Sequence, residues 1–206
     1  MTDGRHERAD AARNRRAILR ATEELLTRRR PEQITIEQVA AAAGVGKGTV
    51  FHRFGNRMGL MVALMQERAL ALREAVQNDP PPLGPGAPPR ERLLAFMDAV
   101  VEVAGRNKGL LAALGHAVSA TPKPEEAQRR EDHPVYRFWH GHVSELIAAE
   151  RPDLDAELLA HLLLAGLHSD PVLQLLERGE AARLAESLRA LADALLLSPP
   201  TALTRR

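Results

Sequence analysis

Apolar residues recur along this chain at helical spacing, with no alternating run of the kind that marks a strand. Ile18, Leu19, Thr22, Leu25 and Leu26 form one apolar face of a first helix expected over residues 10–29, stopped by Pro31. Thr35 stands where an N-cap belongs, and Gln38 three residues on completes a capping box, which predicts a short helix over 36–43. A third helix is expected over 47–53. A fourth, capped by Asn56, is expected over 57–77, with Leu60, Leu64 and Ala71 in its buried stripe.

The pattern then stops. Residues 78–90 read NDPPPLGPGAPPR, and six prolines with two glycines cannot continue a helix. This stretch is the clearest boundary in the chain. It divides an N-terminal domain, residues 1–77 including the linking fourth helix, from a C-terminal one, residues 91–198, with 78–90 as a stiff connector. Beyond it, helices are expected over 91–104, 108–119, 134–150, 155–178 and 180–197, with 121–132 as a loop. Pro171 should kink or break the helix over 155–178.

Composition supports an all-α chain. Ala, Leu, Arg and Glu dominate, and aromatics are 3 % of 206 residues. Cysteine is absent, which excludes disulfides and thiolate metal sites. No run reaches the roughly 18–20 apolar residues of a membrane span, and the charged N-terminus is no secretion signal, so a cytoplasmic protein without membrane contact is expected. Charge adds a direction. Residues 1–60 hold 12 Lys+Arg against 7 Asp+Glu, a net of +5, and the remainder holds 16 against 20, a net of −4. The first part is therefore the one suited to meet a polyanion.

The stretch VAAAAGVGKGTVFHRF, residues 39–54, sharpens that expectation. Gly44 falls where the second helix must end in a left-handed turn, and Gly46 where the third must begin. Val45 between them can plug inward, and Ala40 and Ala43 are small enough for close helix approach. Val50 and Phe54 face the core. The result is a helix-turn-helix whose second helix presents Lys47, Gly48, Thr49, His52 and Arg53, small, polar or cationic residues that suit a major groove about 12 Å wide.

The segment TIEQVAAAAGVGKGTVFHRFGNRMGLMVALM resembles the DNA-binding segment of the tetracycline-repressor (TetR) family, over about residues 18–64. Val39-Ala40, Ala43-Gly44-Val45, Gly48-Thr49-Val50, Phe54 and Leu60 carry the match. Two residues depart from the family pattern: Gly46 stands for the usual serine and Phe51 for the usual tyrosine. Arg57 stands for the usual lysine. The resemblance implies that Lys47 and Thr49 meet bases or phosphates and His52 a phosphate, with Thr35 and Arg57 on the flanking backbone. It implies that Gly48 lets the helix approach closely, and that Phe51 offers apolar contact to sugar or a thymine methyl. Arg5, Arg8 and Arg13 are placed within reach of an adjacent minor groove or phosphate.

For the remainder, the resemblance implies a helical ligand-binding and dimerisation domain. The leucine-rich helices over 155–178 and 180–197 carry more leucine than one buried face needs, and pairing with their two-fold copies would make a four-helix bundle. Walls expected for a small-molecule effector pocket are Met97, Val101, Leu114, Trp139, Val143, Leu164 and His168, with Phe96 and Val100 beside them. Six of the eight histidines fall between 116 and 168, but His133/His140 and His161/His168 are seven apart, not the three or four of metal-binding helix pairs. Surface, capping or pocket roles explain them more simply, so neither a metal nor a cofactor is expected. The expected function is a dimeric regulator that binds a palindromic double-stranded operator, repressing until a ligand releases it. The alternatives are a helical enzyme, for which no nucleophile elbow, phosphate loop or HExxH exists, and an interaction module that has lost DNA binding.

Overall fold

The computed structural model describes residues 3–113 and 133–197, all of whose regular elements are helices. The chain divides into two compact units, the first chiefly the residues up to Arg68 and the second chiefly those from Ala69 on. That division falls inside a helix, ahead of the proline-rich stretch.

In the first unit, α1 (Asp3–Leu26) is longer at its N-terminus than expected and ends sooner. The Arg28 and Arg29 amides both bond the Leu25 carbonyl and close the helix before Pro31 is reached. A 3-10 turn, Pro31–Gln33, leads into α2 (Ile36–Ala43), α3 (Lys47–Phe54) and α4 (Arg57–Asn78). Ile18, Leu19, Ile34, Val39, Val50, Leu60, Met61 and Leu64 are buried together. Thr22 is buried too, and its hydroxyl donates to the Ile18 carbonyl, so the only polar atom it brings inside is satisfied. Two ion pairs bind α1 to the early part of α4. Arg68 grips Glu23 with two hydrogen bonds of 2.6 and 2.9 Å, and Arg15 reaches Glu67 at 2.8 Å. The bidentate pair fixes direction as well as distance.

In the second unit, the residues after α4 turn through 79–88, and α5 (Pro89–Ala113) starts on a proline, which fits a first helical turn that has no use for an amide proton. α5 is continuous across Gly105, where two helices had been expected. A Cβ at Gly105 would come within 3.1 Å of the Ala181 Cβ, so this glycine marks close packing against the last helix and not a break. α6 (Pro134–Glu150) and α7 (Ala156–Ala165) follow, the latter capped by the Asp155 carboxylate accepting from the Leu158 amide at 3.0 Å.

The helix expected over 155–178 is interrupted, but earlier than Pro171. A 3-10 turn, Gly166–His168, and extended Ser169 separate α7 from α8 (Asp170–Glu177). Pro171 lies in the first turn of α8, where a proline starts a helix well. The last helix is α9 (Ala181–Leu197). The core joins Phe96, Met97, Val100 and Val101 of α5 with Val143 and Ile147 of α6, Leu164 of α7 and Leu188 of α9. Arg90 of α5 bonds Asp193 of α9 at 2.8 Å. The expected loop over 121–132 and the tail from 198 lie outside the described residues.

Candidate functional site

The turn between α2 and α3 is built by its glycines. Gly44 adopts φ 65°, ψ 32°, the left-handed conformation that glycine enters without a Cβ penalty. Its amide and that of Val45 fold back on the last carbonyls of α2, Val45 reaching Ala40 at 3.0 Å. Gly46 is extended and caps α3 with no side-chain hydrogen bond. α3 therefore begins with open amides, because the serine hydroxyl of the family pattern is missing.

α3 has two unlike faces. Val50 is fully buried, Phe54 half-buried and Thr49 half-buried. Lys47, Gly48, Phe51, His52 and Arg53 are exposed, Phe51 to 52 %. Nothing lies within 4 Å of where a Gly48 Cβ would stand. An exposed aromatic ring, a lysine, a histidine and a bare backbone thus share one outward flank of a short helix.

Sequence reasoning missed Gly59. A Cβ there would lie 2.0 Å from the Phe54 carbonyl oxygen, an overlap no rotamer relieves. This glycine lets the end of α3 and the start of α4 close on each other, while Asn56 caps α4 by accepting from the Gly59 amide at 2.8 Å. No turn signal in the sequence announces it.

The polar residues around α3 are already engaged. Lys47 is ion-paired with Glu37 of α2. The hydrogen bond from Lys47, with help from the local backbone and Thr35, holds the Glu37 carboxyl at about 2, well below the usual carboxylate range. Thr35 caps α2 as expected, its hydroxyl accepting from the Gln38 amide at 3.3 Å while Gln38 accepts from the Thr35 amide at 3.0 Å. Arg57 is half-buried and donates to the Pro31 carbonyl, and its Nε has no partner among the described residues. Its guanidinium thus ties the turn ahead of α2 to the start of α4. Arg13 pairs with Asp10 at 2.5 Å, and the side chains of Arg5 and Arg8 lie outside the described residues.

A trihelical unit with this turn and this outward flank defines the class: a helix-turn-helix protein. Residues 18–64 match the family described as bacterial regulatory proteins, tetR family. The chain is 36 % identical over 84 residues to the HTH-type transcriptional regulator BetI of Escherichia coli. That alignment spans 41 % of this chain and 43 % of the relative, less than half of either. A TetR transcriptional regulator, SCO0520 from Streptomyces coelicolor, superposes with a TM-score of 0.57 at 25 % identity over 91 % of this chain and 99 % of that one. The fatty acid degradation regulator FadR from Bacillus halodurans shares the fold, with a TM-score of 0.55 at 18 % identity over 89 % of this chain and 98 % of that one. Residues 18–64 therefore carry the segment described for the tetR family, and the described helices follow the fold of the SCO0520 regulator.

In the second unit, Met97, Val101, Val143 and Leu164 sit in one buried cluster with half-buried Trp139 packed against it. Leu114 and the side chain of His168 lie outside the described residues. The histidine rings in contact are His140 and His161, 3.9 Å apart between α6 and α7. His161 Nδ1 shares a 2.8 Å hydrogen bond with the Tyr136 hydroxyl, and His140 Nε2 donates to the Glu157 carbonyl at 3.1 Å. His133 caps α6 by accepting from the Val135 amide at 3.3 Å.

Sequence reasoning passed over His142 and Arg92. His142 is buried on α6 with its Nε2 unpartnered among the described residues, and burial together with the Arg92 charge pushes its pKa down to about 4. The available signal was Arg92 one helical turn before Phe96, a cation in register with the apolar face of α5.

Proposed function

We propose that this protein is a homodimeric regulator that binds a palindromic double-stranded operator through α3 and leaves it when a small-molecule effector occupies the second unit. The observation that carries the reading is the outward flank of α3, where Lys47, Gly48, Phe51 and His52 are exposed on a helix whose opposite face is anchored by Val50. Lys47 and Thr49 take bases or phosphates, and His52 takes a phosphate. Thr35 works chiefly by capping α2, whose N-terminus then points free amides toward a flanking phosphate. Arg57, held by Pro31, sets the loop ahead of α2. Phe51 has no hydroxyl for a phosphate and adds apolar contact, so clamping rests more on Lys47 and His52.

Two heads are needed because one short helix reads few bases. A two-fold dimer places its recognition helices about 34 Å apart, one turn of duplex, or a little more. Support for the dimer comes from exposed leucines on the two expected helices, Leu158 and Leu162 on α7 and Leu191 and Leu197 on α9. α4 supplies the relay, since one uninterrupted helix has its early residues in the first unit and Ala69–Asn78 in the second. An effector that favours one arrangement of the dimer then changes operator affinity by its differential binding.

The family match over residues 18–64 favours this reading over an enzyme or a module without DNA affinity, since the matched relative is a regulator. No helix among the described residues is long and apolar enough to cross a membrane. The test is selection of bound duplexes from a random pool. A palindromic site is expected, weakened by Lys47→Ala and by Thr49→Ala. Recovery of no preferred sequence, with affinity indifferent to salt, would refute the reading.

A further inference from the structure

α5 and α6 bring together polar groups that the fold leaves without partners. Arg92 Nε, Trp139 Nε1 and His142 Nε2 are all buried with no hydrogen-bond partner among the described residues. Unpaired buried polar atoms are rare in folded proteins, and three within one unit call for a cause. Arg92 lies near enough to His142 for its charge to act on the imidazole. Trp139 and His142 are three residues apart on α6 and share a side of it. Arg92 and Phe96 are four apart on α5, and the Phe96 ring meets His142 edge-on with centroids 4.8 Å apart. The Phe138 ring lies parallel to His142 at 6.1 Å, and the exposed Arg73 guanidinium sits 5.3 Å over Phe138.

The chemistry of this set is one-sided. An arginine Nε–H and an indole N–H only donate, and neutral imidazole can add a third donor. Arg92 has no carboxylate partner among the described residues, and its charge is felt by His142. A cation would be repelled here. A neutral ligand would leave the arginine charge uncompensated. An acceptor carrying negative charge satisfies the donors and the charge together, and the flanking phenyl rings favour an apolar body attached to it.

We infer that Arg92, with Trp139 and His142 beside it, binds the carboxylate of an organic acid whose apolar part packs against Phe96 and Phe138. This deepens the effector reading and rests on it. His142 stays neutral at physiological pH, so it orients the carboxylate by a hydrogen bond and leaves the charge to Arg92.

The test uses the full-length protein and two matched probe pairs, phenylacetate with phenylacetamide and decanoate with decanamide. Binding is followed by calorimetry and by the imidazole proton resonances of His142, assigned with His142→Gln. At least one acid should bind about tenfold or more tightly than its amide, the size of one charge-assisted hydrogen bond. It should also shift the His142 resonances. Arg92→Gln should abolish the preference for the acid, and Arg92→Lys should retain part of it, each variant being checked for wild-type helicity. Equal binding of acid and amide, no binding of either acid, or an undiminished preference in Arg92→Gln overturns the assignment and leaves those donors to buried water. Duplex affinity measured alongside separates the two readings. An acid that binds as expected but leaves duplex affinity unchanged sustains the site and removes its role as effector site. Duplex binding without acid preference removes the site and leaves the operator-binding reading standing.

Discussion

Lys47, the first residue of α3, is ion-paired with Glu37 of the helix before it. The cation proposed to meet DNA is thus paired in the free protein, and a phosphate or base would compete with a carboxylate that the Lys47 hydrogen bond holds below its usual range. Both side chains are more than half exposed, so water and salt screen the pair and the exchange is easy. Glu37→Gln should tighten binding to duplex of any sequence several-fold. It should also steepen the dependence of log affinity on log salt by roughly one, since one more phosphate is neutralised. Anisotropy titrations of a labelled duplex at several salt concentrations measure both, and an unchanged slope with weaker binding would show that Glu37 supports the interface instead of tempering it.

Gly48 and Gly59 make a contrasting pair. Alanine at 48 meets open space and replaces glycine inside a helix, so thermal stability should hold or rise by up to about 1 kcal/mol while operator affinity falls. Alanine at 59 overlaps the Phe54 carbonyl at 2.0 Å, so the unfolding midpoint should drop, by an amount on the order of 2 kcal/mol or more. Calorimetry and duplex titration on the two variants separate a binding glycine from a packing glycine. Loss of stability in Gly48→Ala would place that residue in the wrong group.

His142 should make the protein acid-sensitive in a defined window. Its folded pKa is about 4, below the ordinary 6.5, because burial and the Arg92 charge disfavour the imidazolium. The unfolded chain therefore takes up this proton first as pH falls. Its stability contribution is complete above pH 6.5, declines from there to about pH 4, and is lost below, for a total on the order of 3 kcal/mol. Urea unfolding at pH 7.5, 5.5 and 4 should show a smaller fall for His142→Leu than for the wild type. Parallel curves would mean that another group governs the acid limb.

Leu162 is 61 % exposed on α7, one turn from Leu158, which is 54 % exposed. Neither leucine holds the interior of its own chain, so a charge there should spare the fold. Leu162→Glu should halve the mass seen by sedimentation equilibrium at micromolar concentration, keep the helical content, and weaken operator binding by at least tenfold through loss of the second head. A variant that remains dimeric would move the interface away from this face of α7.

The sequence by itself determined the local elements. The Thr35–Gln38 capping box placed α2, Gly44 ended it, Asn56 started α4, and the repeated apolar spacing marked the remaining helices as helices. These signals act within one turn, between residues a few positions apart, and one chain is enough to read them. Only the tertiary structure decided the rest. Gly105 lies inside a helix and not at its end because Ala181, far along the chain, packs against it. Gly59 is required because Phe54 folds back over it, and Lys47 is paired because α2 delivers Glu37 to it. Arg92 and His142 became a candidate site only when α5 and α6 were seen to share their unpaired polar atoms. Such contacts depend on how helices cross, and the periodicity of a helix states which face is buried but not what that face will meet.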